Sequence, residues 1–416
     1  MANDVEVYID FEHGLRRVGT LHRHARRGVE TTSFEYHADW LRDANRFSLE
    51  PALTLHGGAF APGEKLPIFG SIGDSAPDTW GRRLMQRVAR RSSERDGRPV
   101  RTLTEVDYLL GVSDVSRLGA LRFRNTGESE FLAPTVVGVP GLIELGRLLH
   151  VTERFLRDEE TDEDLQMIFA PGSSLGGARP KASVIDQHDR LAIAKFPKET
   201  DDYSIELWEA IALGLATRAG IQTPDYELIR VAGKPILLSR RFDRTGGTRV
   251  PFLSALSMLG LRDGERGSYP ELVDALTQHG AQAMHDALEL YRRMAFNVLI
   301  SNVDDHLRNH GFLWVGRGGW TLSPVYDLNP TPTDVRARIL TTNINLDEGT
   351  CSLDLVMSVA GYFGLSAKTA KTVIREVATA TASWRNEAAA LAAPRAEIQR
   401  MASAFEHDDL TKALVL

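Results

Sequence analysis

Cysteine is almost absent from the sequence: Cys351 stands alone among 416 residues. A lone thiol forms no intramolecular disulfide and no cysteine-rich zinc site, so a reducing compartment is the expected setting. Long apolar runs are missing too, with nothing near the roughly 18 residues of a membrane span. The opening MANDVEVYIDFEHG carries acids where a signal peptide has a basic and then an apolar run. A cytoplasmic protein with no membrane partner is expected. Positive charge is not in excess: the net charge is -7. That excludes a chain coated with nucleic acid over its whole surface and leaves only a local basic patch. No GxSxG elbow, HExxH helix or Walker A loop occurs, which removes the commonest hydrolase, metalloprotease and P-loop schemes. His22 and His24 sit at strand spacing without a third ligand, so zinc is not expected there.

What is present is a globular composition, 43% hydrophobic and 25% charged, in a chain long enough for two to three domains. Short alternating runs, VEVYI, RRVGTL and TTSFEYH, predict a small antiparallel sheet before about Leu55. A helix is predicted after Pro77, with Asp78 at its start and eight arginines between Arg82 and Arg101. Those arginines are read as a solvated face, with a DNA or partner contact as the alternative. The acidic run 158–164 leads into the loop PGSSLGGARPK, followed by the strands ASVI and LAIAKF, a helix over 204–220 and two more strands around AGK. Beyond residue 245 the chain reads as mainly helical, with two short strands, GFLWV and GWTLSP.

The chemistry concentrates in NVLISNVDDHLRNHGFLW. Asn302, Asp304, His306 and Asn309 fall within eight positions, after an apolar helix and before a strand. Asp304 and Asn309 stand five apart, the step at which kinase catalytic loops set a hydroxyl-orienting Asp and a metal-binding Asn. Asp and Asn also cap turns, so spacing alone leaves a plain loop open. Asp327 in SPVYDLNPTP would add a second magnesium carboxylate, its alternative being a turn residue. The glycine loop over 172–181, with Gly176, Gly177 and Lys181, offers backbone N–H groups and one ammonium to phosphate; a flexible hairpin is the other reading. Lys195 lies inside an apolar strand, where an ammonium is costly unless it meets an anion or snorkels to water. Glu206 and Glu209 are both candidate partners for it. Phe242 in SRRFDR could face an adenine or plug the core, and Arg240, Arg241 and Arg244 could be structural ion-pair partners.

Taken in order, SSLGGARPK, AIAKFP, RRFDR, NVDDHLRN and PVYDL, preceded by DSAPDTWGRRLM, resemble the HipA family of bacterial toxin kinases over nearly the whole chain. The resemblance implies an α+β, two-lobed protein-kinase-like fold. It divides the chain into a β-rich N-terminal subdomain (1–135), an N-lobe-like core with the glycine loop and ATP lysine (136–245) and a helical C-terminal lobe (246–416). It implies ATP and Mg2+ as cofactors and serine or threonine as acceptor. By it Asp304 is the catalytic base, His306 lines the active site, Asn309 and Asp327 hold magnesium, Lys181 and Lys195 contact ATP, and Phe242 lies by the adenine. Autophosphorylation falls on Ser174, with Ser173 as fallback. Of the adjacent acids Asp304 and Asp305, only Asp304 keeps the five-residue step to Asn309. The family also implies a HipB-like helix-turn-helix antitoxin that carries the operator DNA contact, and an aminoacyl-tRNA synthetase as substrate, blocked to arrest growth. Two other readings stand beside this one: a small-molecule or phosphoinositide kinase, which shares D-x-H-x-x-N, and a non-catalytic co-repressor scaffold.

Overall fold

Val5, Val7 and Ile9 alternate with Glu6 and Tyr8, a pattern that predicts one buried and one solvated face. In the computed structural model all five are buried. The polar face is closed by its neighbours: Glu6 takes Arg17 from one flanking strand at 3.0 Å and Arg124 from the other at 2.6 Å. The structure describes the whole chain except residues 1–3, 13, 27–28, 65, 133–137 and 170–176. It falls into two compact units, Met1–Thr200 with Arg230–Leu253, and Asp201–Ile229 with Ser254–Leu416. Among the described residues no helix is long and apolar enough to cross a membrane.

The first unit opens with the sheet that the alternating runs predict. Strands β1 (Val5–Phe11), β2 (Gly14–Arg26), β3 (Val29–Tyr36), β4 (Ala59–Phe60) and β5 (Leu121–Asn125) stack in the order β4-β3-β2-β1-β5. Gly19 is required in β2, because a Cβ there would meet the Glu35 carbonyl oxygen at 2.3 Å. The helix Thr79–Arg95 starts where Asp78 accepts the Gly81 N–H at 2.9 Å, and it buries Trp80, Leu84 and Met85. Its arginines are not simply solvated. Arg87 and Arg91 reach the buried Glu160 carboxylate at 2.8 and 3.0 Å, Arg91 and Arg95 reach Asp162, and Arg82 makes a bidentate pair with Glu105. The acidic run therefore docks on the basic helix.

A second sheet carries β6 (Lys181–Ile185) and β7 (Leu191–Lys195), antiparallel with Lys181 facing Lys195. After β8 (Tyr226–Val231), β9 (Lys234–Arg240) pairs with β7, Lys195 facing Leu237. A buried ion cluster fastens the segment after β9 to the residues leading into β5. Asp243, wholly buried, accepts the Gly119 N–H at 2.7 Å and bonds Arg241 and Arg244. Arg241 and Arg244 reach on to the carbonyls of Ser116 and Arg117, at 2.9 and 2.6 Å. Arg117 is wholly buried as well, lying over the Phe123 ring and donating to the carbonyls of Leu109 and Val112 at 2.7 Å. Burial pulls Arg117 down to about 9.

The second unit is mainly helical. Helix Ile205–Arg218 is buried along almost all its length. Tyr269–His279 begins with a capping box between Ser268 and Glu271, with Pro270 in its first turn. Ala283–Leu299 runs into the segment 300–310 and then the hairpin Gly311–Trp314 and Trp320–Leu322. Buried Asp286 ties that helix to the hairpin, accepting from the Thr321 hydroxyl at 2.8 Å and the Leu322 N–H at 3.2 Å. Trp384 and Phe405 stack at 4.7 Å and Trp208 packs beside both, closing the C-terminal helices over Ile205–Arg218.

Burial raises the Asp243 carboxyl, but Arg241 and Arg244 outweigh it and hold it at about 2, below the ordinary 3.8. A depressed carboxylate stabilises the fold above its unfolded value, and this is lost as pH falls through the folded one. Stability of the first unit is expected to drop by on the order of 2 kcal/mol between about pH 4 and pH 2. Asp243→Ala, which strands two buried guanidinium groups, is expected to cost about 3 to 5 kcal/mol at neutral pH. Urea unfolding followed across pH, in wild type and variant, checks both; an Asp243→Ala protein with the wild-type acid profile would disprove the assignment.

Candidate functional site

In the first unit two lysines face each other across β6 and β7. Residues directly opposite in an antiparallel pair point to the same face, and like charges so placed repel. Both lysines are buried, at 4% and 8% exposure. Lys181 Nζ lies 2.6 Å from Asp78 Oδ2 and 3.2 Å from the Gly177 carbonyl, while the Trp80 indole N–H holds the Lys181 carbonyl at 2.9 Å. The residue that caps the arginine helix is thus also the counter-ion of Lys181. Desolvated ammonium groups on one face call for a facing anion, and Asp78 is the one that meets Lys181. Gly177 enters β6 at φ +89, a conformation that favours glycine. Ser173, Ser174 and Gly176 lie outside the described residues.

Phe242 is half-buried, its ring 6.3 Å from that of Phe252. The neighbouring arginines divide their roles. Arg241 and Arg244 belong to the Asp243 cluster, while Arg240 pairs with Asp186, which also takes Arg190 and the His188 N–H in the β6–β7 turn.

In the second unit the chain leaves Ala283–Leu299 through Ser301 at φ 54 and then turns back on itself. The two acids that follow have opposite environments. The Asp304 side chain is 53% exposed, with Arg336 Nη1 at 3.0 Å from Oδ1. Asp305 is 3% exposed: its Oδ2 accepts the Tyr269 hydroxyl at 2.5 Å, and its backbone carbonyl accepts the Thr342 N–H. His310 Nε2 approaches Asp305 Oδ1 to 3.0 Å but lies off the line of a hydrogen bond. His306 is half-buried, its carbonyl accepting the Asn309 N–H at 2.7 Å.

Asn309 is buried and donates Nδ2 to the Asp304 carbonyl at 3.1 Å, leaving Oδ1 buried without a hydrogen-bond partner. An amide oxygen kept from water and from donors suits a hard cation. Asp327 stands at φ 61 after the hairpin, its N–H held by Glu209 Oε1 at 3.1 Å and its Oδ1 accepting Asn329 Nδ2 at 3.2 Å. Magnesium takes one or two protein oxygens, its remaining positions being filled by phosphate and water, and Asn309 with Asp327 is a donor set of that kind. Glu206 and Glu209 are both buried, and Glu209 is the one that holds the Asp327 backbone.

Sequence reasoning picked out these side chains but missed the ones behind them: Tyr269, Asn297, Asn329 and Arg336. Asn329, two residues past Asp327, was within reach of a motif reading. Tyr269 and Asn297 sit in helical stripes with nothing to mark them.

The contrast between the acids is testable. Asp305→Ala strands the Tyr269 hydroxyl and is expected to lower stability by about 2 to 4 kcal/mol. Asp304→Ala removes an exposed pair and is expected to change it by less than about 1 kcal/mol. Denaturant midpoints of the two proteins decide it; equal losses would refute the division between a structural and an available acid.

Comparison with known proteins fits this geometry. Residues 10–107 match the HipA N-terminal domain and residues 173–384 the HipA-like C-terminal domain. A Sinorhizobium fredii protein named "Putative kinase Y4mE" is 25% identical over 331 residues, 72% of each chain. A Haemophilus influenzae protein named "Putative kinase" is 24% identical over 41% of this chain and 57% of its own. Among solved structures, a chain from the Shewanella oneidensis MR-1 toxin–antitoxin HipA, HipB and operator DNA complex superposes with a TM-score of 0.68 at 17% identity. That match covers 99% of this chain and 96% of the other, so the α+β, kinase-like architecture that the motifs imply is the observed one. With both of its domains matched in order, the chain belongs to the HipA family.

Proposed function

We propose that this chain is an ATP- and magnesium-dependent serine/threonine protein kinase of the toxin type. The observation that carries the reading is the Asp304–Asn309 turn. It exposes one carboxylate to an incoming hydroxyl and, five residues on, buries an amide oxygen with no donor. A hydroxyl acceptor needs its proton taken as the phosphoryl group arrives, and Asp304 is the available acid. Its pair with Arg336 is half-exposed, a contact worth at most about 1 kcal/mol, so an acceptor serine displaces it readily. The bond between the γ-phosphorus and the bridging oxygen of ATP breaks, a serine Oγ–phosphorus bond forms, the serine proton passes to Asp304, and ADP leaves. Magnesium, when bound, neutralises phosphate charge; Asn309 and Asp327 are the residues that would hold it. Lys181 and Lys195 add two ammonium groups against phosphate oxygens, Phe242 offers an apolar face to the adenine, and His306 lines the acceptor side of the loop.

In this reading the glycine-loop Ser174, or failing it Ser173, is phosphorylated by the enzyme itself. A phosphate there adds nearly two negative charges beside those of ATP and silences the kinase by repulsion. The antitoxin partner in this reading is a HipB-like helix-turn-helix protein that carries the operator DNA contact; the Shewanella complex, which holds HipA, HipB and operator DNA together, supports it. The substrate class is a protein serine, with an aminoacyl-tRNA synthetase as the first to test, in a cytoplasmic setting.

The experiment is phosphopeptide mapping of dephosphorylated wild-type and Asp304→Asn proteins incubated with magnesium and ATP. Phosphate on Ser174 in wild type, reduced roughly 100-fold or more in Asp304→Asn while ATP still binds, is the expected result. Equal phosphorylation of the two proteins would remove Asp304 as the base. ATP binding with no transfer in either would favour the co-repressor scaffold.

A further inference from the structure

Behind the loop, polar groups form a chain of hydrogen bonds that runs from Asn329 to Asp305 in one direction. Asn329 N–H donates to Asn302 Oδ1 at 3.2 Å, and Asn302 Nδ2 donates to Asn297 Oδ1 at 3.0 Å. Asn297 Nδ2 donates to the Tyr269 hydroxyl oxygen at 3.0 Å, and that hydroxyl donates to Asp305 Oδ2 at 2.5 Å. At its other end Asn329 gives Nδ2 to Asp327 Oδ1 at 3.2 Å. Tyr269, Asn297, Asn302 and Asp305 are all buried. The line therefore starts beside Asp304 and ends on Asp327, crossing the helices Tyr269–His279 and Ala283–Leu299 on the way.

We infer that Tyr269, Asn297, Asn302, Asp305 and Asn329 are positioning residues that set the Asp304 loop and the Asp327 carboxylate in one shared geometry. The inference rests on the reading of Asp304 as base and Asp327 as metal ligand. Three physical points carry it. From the Asn329 N–H to Asp305 all four donors point towards the carboxylate, so each bond polarises the next, while Asn329 Nδ2 donates the opposite way and joins Asp327 to the same line. Tyr269, Asn297, Asn302 and Asp305 are buried, so displacing one of them strands its neighbour at a desolvation cost. Burial, and then the Asp305 carboxylate, raise the Tyr269 phenol well above its ordinary value, which keeps its proton in place as the donor. The small cavity beside the line is walled by Asn297, Asn302, Asp305 and Asn309, so Asn309 borders the same network.

The test uses the full chain. Tyr269→Phe removes one hydroxyl at the Asp305 end, and Asn329→Ala removes one amide at the Asp327 end, at a half-buried position that tolerates it. Each protein is examined by amide hydrogen exchange without ligand and by Mn2+ titration in the presence of ATP. Tyr269→Phe is expected to speed exchange over 326–332 as well as 302–310, and to weaken Mn2+ binding roughly five- to thirtyfold, although Tyr269 touches no metal ligand. Asn329→Ala is expected to speed exchange over 302–310 in return, and the double variant to fall short of the product of the two effects. A merely structural tyrosine would lower the unfolding midpoint and leave both the Mn2+ affinity and the remote peptide unchanged, and that result overturns the inference. If wild type binds no Mn2+ with ATP, the kinase reading fails on its own, while exchange at the two remote peptides still decides the coupling.

Discussion

A carboxylate removed from water has to be met by donors, and in the loop that follows Ala283–Leu299 Asp305 imposes this demand. Tyr269 answers it from one helix, and that hydroxyl then needs a donor of its own, which Asn297 supplies from the next. The remaining loop positions follow from that anchor. With Asp305 turned inward, the preceding residue points out, so Asp304 is exposed while its own backbone carbonyl receives Asn309 Nδ2. A loop that must satisfy a buried charge has few ways to fold, and the exposed acid inherits that rigidity without bearing the desolvation cost itself.

The same rule organises the first unit. Asp243 is tolerable in the interior because Gly119, Arg241 and Arg244 converge on it, and the arginines extend the contact to carbonyls of residues 116 and 117. The N-terminal sheet and the segment after β9 are thereby one structure, not two modules in loose contact. Asp78 applies the principle more sparingly: one carboxylate ends a helix by taking the Gly81 N–H and balances the Lys181 ammonium. Losing it would unfasten a helix start and leave two facing lysines with less to hold them.

What the sequence makes legible is local. Alternation marks the first sheet, and Pro77 and Asp78 mark a helix start; each depends on residues a few positions apart. The arginine and acidic runs are visible as runs, but their pairing is not, because Arg87 and Glu160 are 73 residues apart and no period connects them. The β1 polar face shows the same limit: alternation foretells solvent, and Arg17 and Arg124 from flanking strands cover it instead. In the loop, spacing separates Asp304 from Asp305, whereas burial, the physical reason for their difference, comes from Tyr269 some 36 residues upstream. The contact between Glu209 and the Asp327 N–H is equally invisible to spacing, since the two residues stand 118 positions apart.

Backbone conformation adds a last constraint. Ser301 and Asp327, the residues that turn the chain into the loop and out of the hairpin, both sit at positive φ without being glycine. Such a conformation costs roughly 1 kcal/mol or more for a residue with a Cβ and persists only where surrounding bonds over-determine it. Those bonds are present. The Ser301 hydroxyl donates to the Ala404 carbonyl at 2.8 Å and receives Arg338 Nε, and its backbone carbonyl accepts the Thr331 N–H. Asp327 is gripped through its N–H by Glu209 and through its side chain by Asn329. Each strained turn is therefore held from both sides by groups that are themselves fixed, and the segment Asn329–Thr331 contributes to both. A glycine at either position would relieve the local strain and give up the contact that keeps the carboxylate or the loop in register, which is why the strained residue, and not the permissive one, serves the site.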